Sequence, residues 1–143
     1  MVTGNYVQTV KFSERNLIML GMSRQEMFDK VCQHLKTQKK RSMLSNYGLC
    51  AYRDHDGLKC AVGALIPDDF YDVYMNVVHN TSSVINLMRN IPELKIEEVN
   101  LDFLDELQRI HDNRIYWDEN GFNGKGILEL KRFAKEFNLT YSD

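Results

Sequence analysis

The tetrad Ser23-Arg24-Gln25-Glu26, followed by apolar residues at Phe28, Val31, Cys32 and Leu35, leaves the chain the least freedom. The serine hydroxyl takes the amide proton of Glu26, and the glutamate carboxylate returns a bond to the serine amide, so a helix starts after Ser23. The i, i+3, i+4, i+7 spacing gives that helix one buried stripe, with Cys32 as a core residue on it. A helix that buries one face needs other elements to bury it against, and 143 residues supply one core rather than two. Because the box follows Met22 directly, residues 1–21 read as an arm ahead of a unit that could start there. Within the arm, residues 6–12 (YVQTVKF) alternate as a strand that could pair with a sheet edge of its own chain or of a second copy, which would make a homodimer.

The stretch YRDHDGLKCAVGALIPDDF, residues 52–70, carries the main β signal. Residues 49–53 and 58–62 are strand-like runs around Asp54-His55-Asp56-Gly57, and Asp-Gly favours a hairpin because glycine accepts positive φ. Pro67 with Asp68 and Asp69 suits the first turn of a helix, and Phe70, Val73, Tyr74, Val77 and Val78 give that helix a stripe ending at Asn80–Ser83. A short helix over Val84, Leu87, Met88 and Ile91 stops at Pro92. Asn100 is placed to cap a helix carrying Leu104, Leu107 and His111 on one face. Residues 113–126 read as a loop containing Tyr116, Trp117 and Phe122. Ile127, Leu130, Phe133, Ala134 and Phe137 mark a last helix ended by Asn138. The expected fold is α+β and mainly helical, a single domain over residues 22–143 with one β-hairpin at about residues 49–62.

The hydrophobic fraction of 43% against 27% charged residues belongs to globular chains, and no apolar run approaches the roughly 20 residues that a bilayer requires. Polar residues interrupt the first segment too often for a secretory signal. Cys32, Cys50 and Cys60 are an odd number, a poor basis for a disulfide framework, so reduced thiols in a cytoplasm are expected. The tripeptides Asn80-Thr81-Ser82 and Asn138-Leu139-Thr140 are then chance matches to a glycosylation site. Residues 1–41 hold eight basic and three acidic residues, and the remainder ten and seventeen. Such polarity suits a contact surface, or two halves that face each other.

Three segments together resemble a group of small hypothetical proteins of bacteria, prophages and phages: Cys50-Ala51-Tyr52-Arg53, Lys59 to Asp69, and Leu107-Gln108-Arg109-Ile110-His111-Asp112. The resemblance spans roughly residues 22–137. It implies a phage or mobile-element setting, the host cytoplasm as location, and the hairpin and His-Asp helix in one unit. It implies no mechanism. A small phage-like protein of this kind is expected to act as an accessory factor that binds a host-encoded protein, for example as an inhibitor of host defence or regulation, without catalysis.

The residues leave several chemistries to weigh. A thiol enzyme would pair Cys60 or Cys50 with His111 as base. Asp112 is expected not to orient that ring, because adjacent helical residues diverge by about 100°, so Asp105, Gln108 or a loop carboxylate would have to. The structural alternative packs both cysteines on strands and has His111 bond a backbone carbonyl of the hairpin. Cys50, His55, Cys60 and His111 lack zinc-ligand spacing, so no metal is expected, and no motif implies a cofactor. Asp54, His55 and Asp56 read as turn residues. Lys36, Lys39, Lys40 and Arg41 could neutralise phosphates, with Tyr47 or Tyr52 for stacking, or simply complement a helix end. Gly124-Lys125-Gly126 lacks the spacing of a phosphate loop, so nucleotide binding has little support. Residues 93–119 hold nine acidic and three basic residues, and with Trp117, Tyr116, Phe122 and Glu119 they make the expected protein-binding surface.

Overall fold

In the computed structural model, residues 21–44, 49–71 and 84–143 are described. The N-terminal strand and arm, Tyr47, the Cys50 side chain, the stripe beyond Tyr71 and the Asn80–Ser83 cluster lie outside the described residues. The architecture is mainly helical with short antiparallel hairpins, an α+β domain. Helix α1 (Arg24–Thr37) begins at the capping box: Glu26 N–H donates to Ser23 Oγ at 3.1 Å, and Ser23 N–H donates to Glu26 Oε1 at 2.8 Å. Its stripe of Phe28, Val31, Cys32 and Leu35 is buried as the spacing requires.

Strands β1 (Met43–Leu44) and β2 (Leu49–Cys50) pair antiparallel, with Met43 opposite Cys50. The chain then turns at Asp54–Gly57, where Gly57 has φ +82°. Asp54 N–H donates to Leu58 O, and its Oδ1 accepts from the amides of Asp56 and Leu58. The expected return strand over residues 58–62 is corrected: it is one bridge, Arg53 to Lys59, followed by helix α2 (Ala61–Leu65). The Cys60 thiol caps that helix by accepting the Gly63 N–H at 3.2 Å, an alternative for the backbone that alternation of apolar residues does not reveal. Pro67 leads into a 3-10 turn, Asp68–Phe70.

Helix α3 (Val84–Asn90) ends before Pro92 as its sequence indicates. Helix α4 (Leu101–Asp112) follows Asn100, whose side chain is corrected from cap to acceptor: its Oδ1 takes Arg24 Nε–H at 2.9 Å, tying α4 to α1. The expected loop over residues 113–126 is also corrected. It contains a 3-10 turn (Arg114–Tyr116) and a second hairpin, β3 (Trp117–Asp118) with β4 (Gly121–Phe122). Helix α5 (Gly124–Glu136) starts three residues earlier than the apolar stripe suggests, with Asn123 Oδ1 capping Gly126 N–H. It closes in a Schellman motif: Asn138 adopts φ +63°, Leu139 N–H donates to Ala134 O, and Asn138 N–H donates to Lys135 O.

The helices meet around Phe28, Phe103 and Phe133, each at most 2% exposed. Phe28 and Phe133 stack with ring centres 5.5 Å apart, and Phe103 tilts onto Phe133 at 5.3 Å. Such aromatic contacts add roughly 0.5–1.5 kcal/mol per pair beyond area burial. Among the described residues no helix is long and apolar enough to cross a membrane.

Candidate functional site

The last turn of α4 gathers most of the sequence-predicted chemistry. His111 is fully buried, and its Nε2 lies 3.1 Å from the amide nitrogen of Ser42. An amide can only donate, so Nε2 carries the lone pair and the ring proton resides on Nδ1. Nδ1–H donates to Asp112 Oδ1 at 2.8 Å. Two expectations are thereby corrected: the backbone partner of His111 is an N–H rather than a carbonyl, and Asp112 does orient the ring. Nδ1 is the ring nitrogen nearest the backbone, where the angular divergence of neighbours spans little distance. Gln108, one turn earlier, also holds the carboxylate by donating Nε2–H to Asp112 Oδ1 at 3.0 Å.

Around this node the backbone is laced by side chains. Gln108 Oε1 accepts the Val62 amide at 3.0 Å, linking α4 to the start of α2. Asp105 Oδ1 accepts the Val84 amide at 2.8 Å, linking α4 to α3. Arg41 donates to Asp112 O at 2.7 Å, and Trp117 Nε1–H donates to His111 O at 2.9 Å. On the far side of Lys59, Gln38 donates Nε2–H to Lys59 O and accepts Lys59 N–H, both at 2.8 Å. His34 Nε2 sits 2.7 Å from the same carbonyl. Burial lowers the His34 pKa more than the carbonyl raises it, and nearby His111 and Lys59 lower it further.

The thiol-enzyme geometry is not assembled by these contacts. Both ring nitrogens of His111 are engaged, which leaves no lone pair on the ring for a thiol proton. Cys60 is fully buried, and its sulfur accepts an amide proton as a helix cap. Cys32 is 5% exposed, and burial, opposed by Lys36 and reinforced by Asp29, pushes its thiol up to about 12. Tyr52 is 5% exposed, offering no stacking face, and its hydroxyl pKa is raised first by burial and then by Cys60, Asp112 and Asp105. His55 projects from the exposed turn. Among the described residues no three His, Cys, Asp or Glu side chains group as metal ligands.

The basic set divides. Lys36 Nζ lies 4.9 Å from the centre of the Tyr141 ring, and Arg41 is spent on the α4 carbonyl, while Lys39 and Lys40 are exposed. The aromatic set stays together. Trp117 stands edge-on to His111 at 5.8 Å and to Phe122 at 5.1 Å, and Tyr116 contacts Phe122 at 6.4 Å. All three are half-buried against the core, whereas Glu119 is exposed at the hairpin tip. Ile115 and Leu128, which the sequence reading did not single out, are 54% and 67% exposed. They belong to the 3-10 turn and α5, which pack on each other. An apolar residue out of phase with the buried stripe of α5 was the signal available for Leu128.

No protein-family model matches the chain, and neither a curated protein nor a solved structure matches it.

Proposed function

We propose that this chain is a non-catalytic protein-binding module whose contact surface is the unit formed by Arg114–Tyr116, the β3–β4 hairpin and α5. The observation that carries the reading is the pairing of exposed Ile115 and Leu128 with an aromatic trio already fixed in place. Trp117 is held by its bond to His111 O, and the hairpin by Asn123 N–H donating to Tyr116 O at 2.8 Å. Binding by a pre-ordered surface avoids the entropy of ordering side chains on contact. Asp118 and Glu119 at the tip are exposed, as are Arg114 and Lys125 beside them, so the apolar anchors sit in a rim of mixed charge. The reading of that partner as host-encoded, and of the protein as a phage-like accessory factor, rests on the resemblance of the three sequence segments. The engagement of both His111 nitrogens disfavours the thiol-enzyme alternative, and the diversion of Lys36 and Arg41 disfavours nucleic acid.

The test places a photo-crosslinking residue at position 115, 128 or 30 in the full chain, in cells of its natural host. Lys30 is exposed on α1, remote in sequence from this unit. A discrete adduct from positions 115 and 128, absent from position 30 and lost when the other apolar anchor is changed to Lys, is the expected result. Identical adduct patterns from all three positions would overturn the assignment.

A further inference from the structure

Residues 139–143, which follow α5, lie along α1 as a strap without regular secondary structure. Gln25 treats Thr140 as a neighbouring strand would: Nε2–H donates to Thr140 O at 2.9 Å, and Oε1 accepts Thr140 N–H at 3.0 Å. Lys36 Nζ donates to Ser142 O at 3.4 Å and to Tyr141 Oη at 3.3 Å. The Tyr141 ring meets Phe28 edge-on at 6.5 Å and is covered by two ammonium groups, Lys36 at 4.9 Å and Lys131 of α5 at 5.5 Å. The polar contacts are therefore to backbone or to the Tyr141 hydroxyl, and the side-chain anchors are Tyr141 and Leu139, both packed against the core. Beside the strap, between Phe28, Cys32 and Lys36 on one side and Ser142 and Asp143 on the other, a cavity of about 210 Å³ remains.

We propose that this groove between α1 and α5 docks an extended segment of a partner protein bearing a tyrosine followed by an acidic residue, and that residues 139–143 occupy it as an intramolecular stand-in. The cavity gives a partner with larger side chains after its tyrosine more surface than the strap uses. Lys36 and Lys131 outnumber Asp29, which also lines the cavity and accepts from Gln25 Nε2 at 2.8 Å, so the groove keeps a net positive charge that favours an acidic flank. The strap leaves by pivoting after Asn138, whose positive φ already ends α5, and release costs the Leu139 N–H bond to Ala134 O and the packing of Leu139 and Tyr141 on the core. The groove shares α5 with the proposed contact surface through Lys131 but uses none of Ile115, Trp117, Phe122 or Leu128, so either reading can fail without the other.

The probe is a fluorescein-labelled peptide of the sequence Asn-Leu-Thr-Tyr-Ser-Asp, titrated by anisotropy against the full chain and against Tyr141→Ala, which loosens the strap and leaves the groove residues intact. Freeing the groove from its own occupant raises apparent affinity by the inverse of the open fraction, here expected to be about tenfold. Adding Lys36→Met to Tyr141→Ala should remove the gain, with Gln25→Met used in its place if that variant fails to fold. A peptide with Ala for Tyr should not bind. Equal binding to both chains, absence of binding to Tyr141→Ala, or binding indifferent to the peptide's tyrosine would overturn the proposal. So would a concentration-dependent dimer of the unmodified chain that Tyr141→Ala abolishes, since it would assign the groove to a second copy.

Discussion

Two glycines separate the ways in which a single residue can be indispensable. A Cβ on Gly57 meets nothing within 4 Å, yet φ is +82°, while a Cβ on Gly63 would sit 2.0 Å from Tyr52 O. Gly57→Ala should therefore cost about 1 kcal/mol, the penalty of left-handed backbone. Gly63→Ala should cost more than about 3 kcal/mol or prevent folding, because backbone must move. Urea melts of the two variants give the comparison, and similar midpoints would contradict it. At His111 the same instrument separates orientation from burial. His111→Phe strands the Ser42 amide in the core and should lose about 1–3 kcal/mol. Asp112→Asn keeps an oxygen able to accept from both Nδ1 and Gln108, and should lose less than about 1 kcal/mol. Neither Ser42 nor Gln38 was singled out from sequence. A buried polar residue announces nothing until its partners, here His111 and Lys59, are brought to it by the fold.

Among elements, those with local signals were legible and those decided by distant contacts were not. The capping box, the Asp-Gly turn, the stop before Pro92 and the Asn138 terminus all rest on atoms within a few residues of one another, and the structure contains each. Ser23→Ala should lower stability by about 1 kcal/mol. Asn138→Ala should cost a comparable amount through its positive φ. Loss of helical circular dichroism at lower temperature in both variants is the check. The pattern of residues 58–62 permits a strand, but the Cys60 cap and the Gln108 bond to Val62 favour helix, and the latter comes from 46 residues away. The second hairpin had a cue in Asn120-Gly121, and Gly121 does adopt positive φ. With only two residues per strand, alternation had no length over which to show itself. The candidate surface was legible in its aromatics and, through its phase against the buried stripe of α5, in Leu128, but not in Ile115, whose exposure depends on how its 3-10 turn packs on α5.

For the whole molecule, pH is the most informative variable. His34 has its folded pKa below the ordinary imidazole value of 6.5, so the unfolded chain takes up the proton first as pH falls. Stability is then complete above about 6.5 and is lost as pH falls through the folded-state value. The fall in Tm between pH 7.5 and pH 5 should be smaller for His34→Gln than for the unmodified protein. An equal fall would show that other groups carry the acid response. The core around Phe28, Phe103 and Phe133 is not expected to respond, since no titrating atom lies in those rings.

Three glutamines, at positions 25, 38 and 108, each use both ends of a carboxamide, one oxygen accepting and one nitrogen donating. Deamidation turns the nitrogen end into a second acceptor, so chemical ageing would set carboxylate against carbonyl or carboxylate oxygen at each of them. Gln25, whose bonds lie in solvent, should fail first and release the strap, and Gln38, 9% exposed, should fail last. An old preparation would accordingly come undone from residue 140 inward while its aromatic core was still intact.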